Sequence, residues 1–521
     1  MPLYLGLDSS TQSLTAILVD ADGDTRRVVF ERTLEFDAEF PAFGTSHGVV
    51  NGPYGTVTAP PLMWVAALDR MLAIVVREAG MDLAQLAAIS GSAQQHGTVY
   101  LAAHAIDTLE SLDPSDPIVP QLGGIFTRSQ SPVWLDRSTP GQCAAIEAAL
   151  GGAEALARLT GSRACERFSG PQIRRFSEVE PAAYARTARI HLVSSFLCSV
   201  LAGAEAPIEP GDGAGMNLMD ITSLQWSPAA LAATAPGLEA RLPALRLSST
   251  IVGPLSPFWQ WRFGLPAAQI VAWSGDNPCS LVGSGLVREG ELGISLGTSD
   301  TVFGFTRGVA IDGASHVFGS TTGGYMSLIC FRNGSLAREA VRDRFGLDWS
   351  GFSNALGGSS PGNGGGIVLP WVDSESTPLI TVPGIRRFGV DPDDPVPNVR
   401  GVVEGQMMAM ANHSQPMTTG HTRRIVATGG ASRNPEILRV MADVFGADVY
   451  PTSGGNSAAL GAALRAFHAH QRSLGNTIPW ERVVAGITDP PESDRVTPIR
   501  SNVEIYRELR QRYAELEARS S

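Results

Sequence analysis

The chain opens on an alternating pattern. Leu3, Leu5 and Leu7 interleave with Tyr4, Gly6 and Asp8, a small polar stretch Ser9-Ser10-Thr11-Gln12 follows, and 14–19 is again mostly apolar. Two apolar strands around a short polar turn predict a hairpin. Asp20-Ala21-Asp22-Gly23 predicts a second turn, and 25–36 a third strand. Over 61–79 the apolar positions Leu62, Val65, Ala66, Leu68, Leu72, Val75 and Val76 recur at helical spacing. Residues 86–92 predict a buried strand that leads into Gln94-Gln95-His96-Gly97. The most apolar stretch, 192–204, contains Ser and Cys and reads as a buried helix. A membrane span needs about 20 apolar residues.

A related pattern returns in the second half. Glu291-Leu292-Gly293-Ile294-Ser295-Leu296 runs into Gly297-Thr298-Ser299, and Asp300-Thr301-Val302-Phe303 follows. This is again strand, small polar turn, strand, with the same apolar–Gly–apolar alternation. The similarity suggests two halves of one duplicated design rather than a short-period repeat. Near the end, 424–428 predicts a strand, Gly429-Gly430-Ala431 a turn, and Pro435 the first turn of a helix through Phe445. A strand at Asp448–Pro451, a turn at 453–457 and an Ala-rich helix at 458–470 complete the series. Alternating strands and helices argue for α/β layers. The break Gly253-Pro254-Leu255-Ser256-Pro257 suggests a division into 1–252, 253–500 and a tail, 501–521. Residues 353–366 and 378–397 read as irregular loops, and 503–519 as a charged helix with a solvated face.

Length and charge narrow the functions. A chain of 521 residues can fold as two large α/β units. Its net charge of −12 gives no global positive field for nucleic acid. All 39 basic residues are arginine. A lysine-free chain has no Walker A lysine, no protein-kinase strand lysine and no Schiff-base lysine. Asp8 interrupts the first apolar stretch, so no signal peptide is expected. The five cysteines are widely spaced with no C-x-x-C, and the nine histidines form no H-E-x-x-H. A reducing, cytoplasmic setting fits this usage.

Three glycine-and-hydroxyl turns, each beside a strand, suit phosphate: Ser9 to Gln12, Gly297-Thr298-Ser299 and Gly429-Gly430-Ala431. Backbone N–H groups in such turns point at anionic oxygen, though each alone is equally read as a plain turn. Asp8, closing a strand, is either an Asx-turn or a Mg²⁺ carboxylate. Asp276, in Ser274-Gly275-Asp276-Asn277-Pro278, is either a helix N-cap or a general base, with Asn277 orienting a hydroxyl. His96 stands in a polar cluster after a buried strand, where an isolated histidine is more often structural. Trp134 and Asp136 either bind a sugar or pack.

Taken together and in order, these segments resemble the FGGY carbohydrate kinases, and within them the members that act on D-xylulose. The resemblance rests on Gly6-Leu7-Asp8-Ser9-Ser10-Thr11, Gln94-Gln95-His96-Gly97, Pro132-Val133-Trp134-Leu135-Asp136, Ser274-Gly275-Asp276-Asn277, Ser295-Leu296-Gly297-Thr298-Ser299 and Ala427-Thr428-Gly429-Gly430-Ala431. Stretches 159–170, 194–196, 212–218 and 334–336 add to it, and it runs from Tyr4 to about Ala466. It implies an α/β fold of two actin-like (RNase H-like) domains with an interdomain active-site cleft, the first binding sugar and the second ATP. The implied activity is ATP-dependent phosphorylation of D-xylulose to D-xylulose 5-phosphate, with ribulose, gluconate or glycerol as alternative substrates. A non-kinase actin- or chaperone-like ATPase is the alternative on the same fold. The resemblance makes Asp276 the catalytic base, assigns Gln95, His96, Arg167, Asp276 and Asn277 to the sugar, and gives Mg²⁺ to Asp8. It assigns Ser10, Thr11, Gly297, Thr298, Trp349, Gly429, Gly430, Ala431 and Asn434 to the nucleotide. The expected partners are a sugar and ATP, with no nucleic acid and no membrane; a homodimer is compatible. Cys279 departs from the family's usual Ala after Pro278.

Overall fold

Seven apolar-alternating residues, Leu3–Ser9, form the strand around which the first unit is built. The computed structural model describes residues 1–22, 25–309, 311, 315–452 and 455–520. They fall into two units: Met1–Gly285 with Val317–Met326 and Asn456–Asp489, and Leu286–His316 with Ser327–Gly455 and Pro490–Ser521.

In the first unit Leu3–Ser9 pairs antiparallel with Ser13–Asp22, setting Gly6 opposite Ile17 and Asp8 opposite Thr15. It pairs parallel with Leu86–Ala93, setting Asp8 beside Ser92. The sheet continues through Gln269–Val271 to Ile251–Pro254 on one side and Thr25–Glu35 on the other. Ser274–Gly275 pairs parallel with the end of Leu86–Ala93, setting Ser274 beside Ser92. Alternation sends Leu3, Leu5 and Leu7 into a core with Trp64 and Leu68 of the helix Pro61–Glu78. The opposite face packs on the Ala-rich helix Ser457–Ser473, where Tyr4 meets Phe467 edge-on at 5.2 Å. Gly6 is required there: a Cβ would lie 2.1 Å from the Ala459 carbonyl oxygen. The helix Val193–Ala202 is buried along 193–201, as its composition predicts.

The second unit repeats this wiring. Glu291–Leu296 pairs antiparallel with Asp300–Thr306 and parallel with Arg424–Thr428, which pairs parallel with Asp448–Pro451. Its core joins Leu292 and Ile294 to Val402 and Met407 of the helix Pro395–His413 and to Ile437 and Met441 of Pro435–Phe445. A strand with an antiparallel hairpin partner on one side and a parallel neighbour on the other occurs in both units, so the duplication suggested by the two hairpins is present in their topology.

Several expectations need correction. The break between units falls at Gly285–Leu286 rather than at 252, because Ile251–Pro254, Gln269–Val271 and Asp276–Gly283 belong to the first unit. The chain also returns, so 456–489 lies in the first unit and 490–521 in the second. The C-terminal helix Arg500–Ser520 is not a solvated tail: Tyr506, Leu509 and Tyr513 are buried in the second core. The supposed loop 353–366 begins inside a helix, Trp349–Gly357, capped by Asp348. Within 378–397 a short strand, Arg386–Phe388, pairs with Ile367–Leu369. The expected turns at 20–23 and 453–457 lie partly outside the described residues.

Candidate active site

In open α/β sheets, ligands bind beyond the carboxyl ends of parallel strands. Three such ends lie side by side in the first unit. Leu3–Ser9 carries Asp8 next to its last residue, Leu86–Ala93 leads into Gln95 and His96, and Ser274–Gly275 leads into Asp276. Chain segments far apart in sequence thereby deliver their polar residues to one place.

Asp276 is the first residue of the helix Asp276–Gly283, whose N-cap is Gly275, so the capping alternative does not hold. Its Oδ1 accepts from the Asn277 backbone N–H at 2.8 Å and from Asn277 Nδ2 at 3.0 Å. Asn277 Nδ2 also donates to Gln95 Oε1 at 2.9 Å, and Gln95 Nε2 donates to the Gly211 carbonyl at 3.3 Å. Burial, with the Asp8 carboxylate nearby, pushes the Asp276 carboxyl up to about 7. A carboxyl poised there suits proton abstraction near neutral pH.

Asp8 is buried and accepts hydrogen bonds from the hydroxyls of Ser10 and Ser92. Burial raises its pKa against those two bonds. Among the described residues it makes no ion pair, so its charge is left for something else to neutralise. No group of three or more His, Cys, Asp or Glu able to hold a metal occurs among the described residues. Mg²⁺ keeps several waters and takes one or two carboxylates, so a carboxylate oriented by two hydroxyls, as Asp8 is, fits it. Thr11 sits at the same turn, its hydroxyl accepting from Trp134 Nε1 at 2.8 Å. Asp136 is structural: it is buried and accepts from the Val57 and Ser138 backbone N–H groups and from Gln172.

His96 adopts φ 73°. This left-handed conformation costs a non-glycine residue about 1–3 kcal/mol and persists where the surroundings enforce it. Here Nδ1 bonds the Gly215 carbonyl at 2.9 Å, the backbone carbonyl accepts from Ser169 Oγ, and the ring lies 4.5 Å from that of Phe168. Arg167 is half-buried, its guanidinium 5.6 Å from the same Phe168 ring.

The sequence reading missed Asp212. This carboxyl is buried, accepts from Ser194 Oγ at 2.5 Å and interacts with Gln95. Burial, with Asp276 and Glu209 nearby, raises it to about 8. Glu209 is likewise buried and raised, and accepts from Ser274 Oγ at 2.5 Å. Four carboxyls, the buried Asp8, Glu209 and Asp212 and the part-buried Asp276, thus belong to one polar cluster. The string Glu209-Pro210-Gly211-Asp212 carries no signal of this. Only the fold, through the short helix Pro210–Gly213, brings it to Asp276.

The nucleotide set divides. Ser10 and Thr11 lie in the first unit, beside Asp8. The rest lies in the second. Gly297-Thr298-Ser299 and Gly429-Gly430-Ala431 leave neighbouring parallel strands, with Ser295 beside Thr428. Thr298, Ser299, Gly429 and Gly430 are exposed, as a phosphate cradle requires. Asn434 caps the helix Pro435–Phe445, its Oδ1 accepting from the Glu436 and Ile437 N–H groups at 2.9 and 3.3 Å. Trp349 starts the helix whose Ser353 Oγ is 3.5 Å from Asn434 Oδ1, and its half-exposed ring carries the Arg342 guanidinium at 4.4 Å.

Residues 129–283 match the model of the N-terminal domain of the FGGY family of carbohydrate kinases, and residues 292–470 that of its C-terminal domain. The chain is 41% identical over 529 residues to xylulose kinase from Mus musculus, which covers 99% of this chain and 94% of that protein. It is 40% identical over 507 residues to xylulose kinase 2 from Arabidopsis thaliana, covering 93% and 90%. Among solved structures, xylulose kinase from Rhodospirillum rubrum shares the fold with a TM-score of 0.80 at 18% identity, covering 99% and 98%.

Proposed function

The chain belongs to the FGGY family of carbohydrate kinases, and from that premise we propose that it phosphorylates D-xylulose with ATP to give D-xylulose 5-phosphate and ADP. The observation that carries the mechanism is Asp276, part-buried at a helix start, held by Asn277 and poised near neutral pH. The relatives named above carry the choice of sugar.

In this reading Asp276 accepts the proton of the C5 hydroxyl as that oxygen attacks the γ-phosphorus. The bond from the γ-phosphorus to the bridging oxygen breaks, ADP leaves, and the proton on Asp276 passes to water. Asn277 does two things: it fixes the Asp276 carboxylate and links it to Gln95. Gln95 and His96, held against Gly211 and Gly215, with Arg167, present fixed polar groups to the sugar hydroxyls. Orientation of this kind supplies much of the rate in phosphoryl transfer. Thr298, Ser299 and the Gly429-Gly430 turn bind the phosphates of ATP, while Asn434 and Trp349 line the adenosine. Asp8 and the Ser10 hydroxyl would hold Mg²⁺, which when bound offsets phosphate charge. A lysine-free chain can do this because backbone N–H and hydroxyl groups take over the work of a phosphate-binding lysine.

The test is ADP formation from Mg·ATP with D-xylulose, D-ribulose, L-ribulose, gluconate and glycerol. The reading expects D-xylulose to give the highest kcat/KM. A higher value for another polyol would overturn the sugar and leave the family standing.

A further inference from the structure

Behind the Gly297-Thr298-Ser299 turn lies a buried ion pair that no sequence motif marks. Asp300 and Arg338 are each 1% exposed. Arg338 Nη1 donates to Asp300 Oδ2 at 2.9 Å and to Gln406 Oε1 at 2.9 Å. Its Nη2 donates to Asp300 Oδ1 at 3.1 Å and reaches the Gly297 carbonyl at 3.4 Å. The same carbonyl accepts from the Ser335 N–H at 2.8 Å. Gln406 Nε2 turns back to the carbonyls of Asn333 and Gly334 at 2.6 and 2.8 Å. Gly334 closes the arrangement. A Cβ there would lie 2.7 Å from Asp300 Oδ1 and from the carbonyl oxygens of Gly297 and Thr298, so only glycine lets this segment approach the turn.

The turn is therefore held from behind, while Thr298 and Ser299 are exposed in front. Stability alone does not account for the pair. Two buried charges are costly to desolvate, and an apolar pair of similar volume is commonly as stable or more so. A guanidinium does offer something an apolar residue does not. Its planar fork fixes several acceptors in one geometry. Here those acceptors belong to Asp300, which opens the strand after the turn, to Gly297, and to Gln406, which holds the segment behind them.

We propose that Arg338 is a positioning residue for the nucleotide phosphates, fixing the Gly297-Thr298-Ser299 turn through Asp300 and the Gly297 carbonyl. This rests on the reading that the turn binds phosphate, and the test separates the two. The variants are Arg338→Lys, the neutral pair Arg338→Met with Asp300→Leu, and Gly297→Val, which puts a side chain into the turn. ADP affinity is read by calorimetry, D-xylulose affinity by thermal shift, and folding by melting temperature.

The neutral pair is expected to fold and to lose ADP affinity by about ten- to a hundredfold, as displaced binding groups do, with D-xylulose affinity kept. Arg338→Lys keeps a charge opposite Asp300 without the fork, and is expected to weaken ADP less but measurably. A folded neutral pair with wild-type ADP affinity overturns the proposal, provided Gly297→Val weakens ADP. If the neutral pair fails to fold, Arg338→Lys decides: wild-type ADP affinity there overturns it equally. If Gly297→Val binds ADP as wild type does, the phosphate reading of the turn fails, and the proposal with it.

Discussion

Asp276 and Asp212 are linked through Gln95, and both are pushed far above the ordinary carboxyl range by burial, but to different effect. Asp276, at about 7, must lose its proton to act as a base. We expect log kcat/KM for the sugar to fall with unit slope as pH drops below about 7, and saturating Mg²⁺ to move that limb lower by offsetting the Asp8 charge. A profile flat down to pH about 5 would contradict the assignment. Asp212, raised from 3.8 to about 8, bears on stability. Between those values the folded chain holds a proton that the unfolded chain has lost, so stability falls as pH rises through this window. Asp212→Asn removes Asp212's share of that slope and leaves the shares of Asp8, Glu209 and Asp276. The variant should melt several degrees above wild type near the top of the window (roughly 2 °C per kcal/mol at this size) and converge with it near the bottom. Equal melting temperatures across the window would mean that Asp212 is not held protonated.

At the scale of elements, the parts legible in the sequence are those in which local pattern and tertiary role agree. The two hairpins were readable because Gly6 and Gly293 interrupt otherwise apolar strands, and Gly6 is where the helix Ser457–Ser473 packs. The helix Pro435–Phe445 was readable from Pro435 and its apolar period. The division at 252 was misread because Gly253 and Pro254 lie in an edge strand, where a break in pattern does not end a unit. The C-terminal helix was misread because charge outnumbers its buried face. The spacing of Tyr506, Leu509 and Tyr513 held the signal. Deleting 490–521 should therefore expose the second core and yield aggregated protein, checked by size-exclusion chromatography. A folded monomer would contradict the assignment. Among site residues, Asp8, His96 and Asp276 each stand at a strand end within a compact motif. Asp212 does not, because its neighbours Ser194, Gln95 and Asp276 come from distant segments. Asn434→Ala removes a two-bond cap, at a cost of about 0.5–2 kcal/mol to its helix. It should also raise KM for ATP without changing that for the sugar, as initial rates would show.

For the whole molecule, each unit has its own sheet and its own core, and the proposed sugar and nucleotide groups divide largely between them. Hydrogen exchange should show this division. D-xylulose alone should protect 91–97 and 274–278, and ADP alone 295–300 and 427–436. Among the described residues no helix is long and apolar enough to cross a membrane. The central claim is that Asp276 takes the proton in ATP-dependent phosphorylation of D-xylulose. The most direct measurement is D-xylulose-dependent ADP formation by wild type and Asp276→Asn at saturating substrates, beside D-xylulose binding by thermal shift. The account predicts a fall in kcat of about 10²–10⁴-fold with sugar binding retained. ADP formation that needs no sugar and survives Asp276→Asn would contradict it.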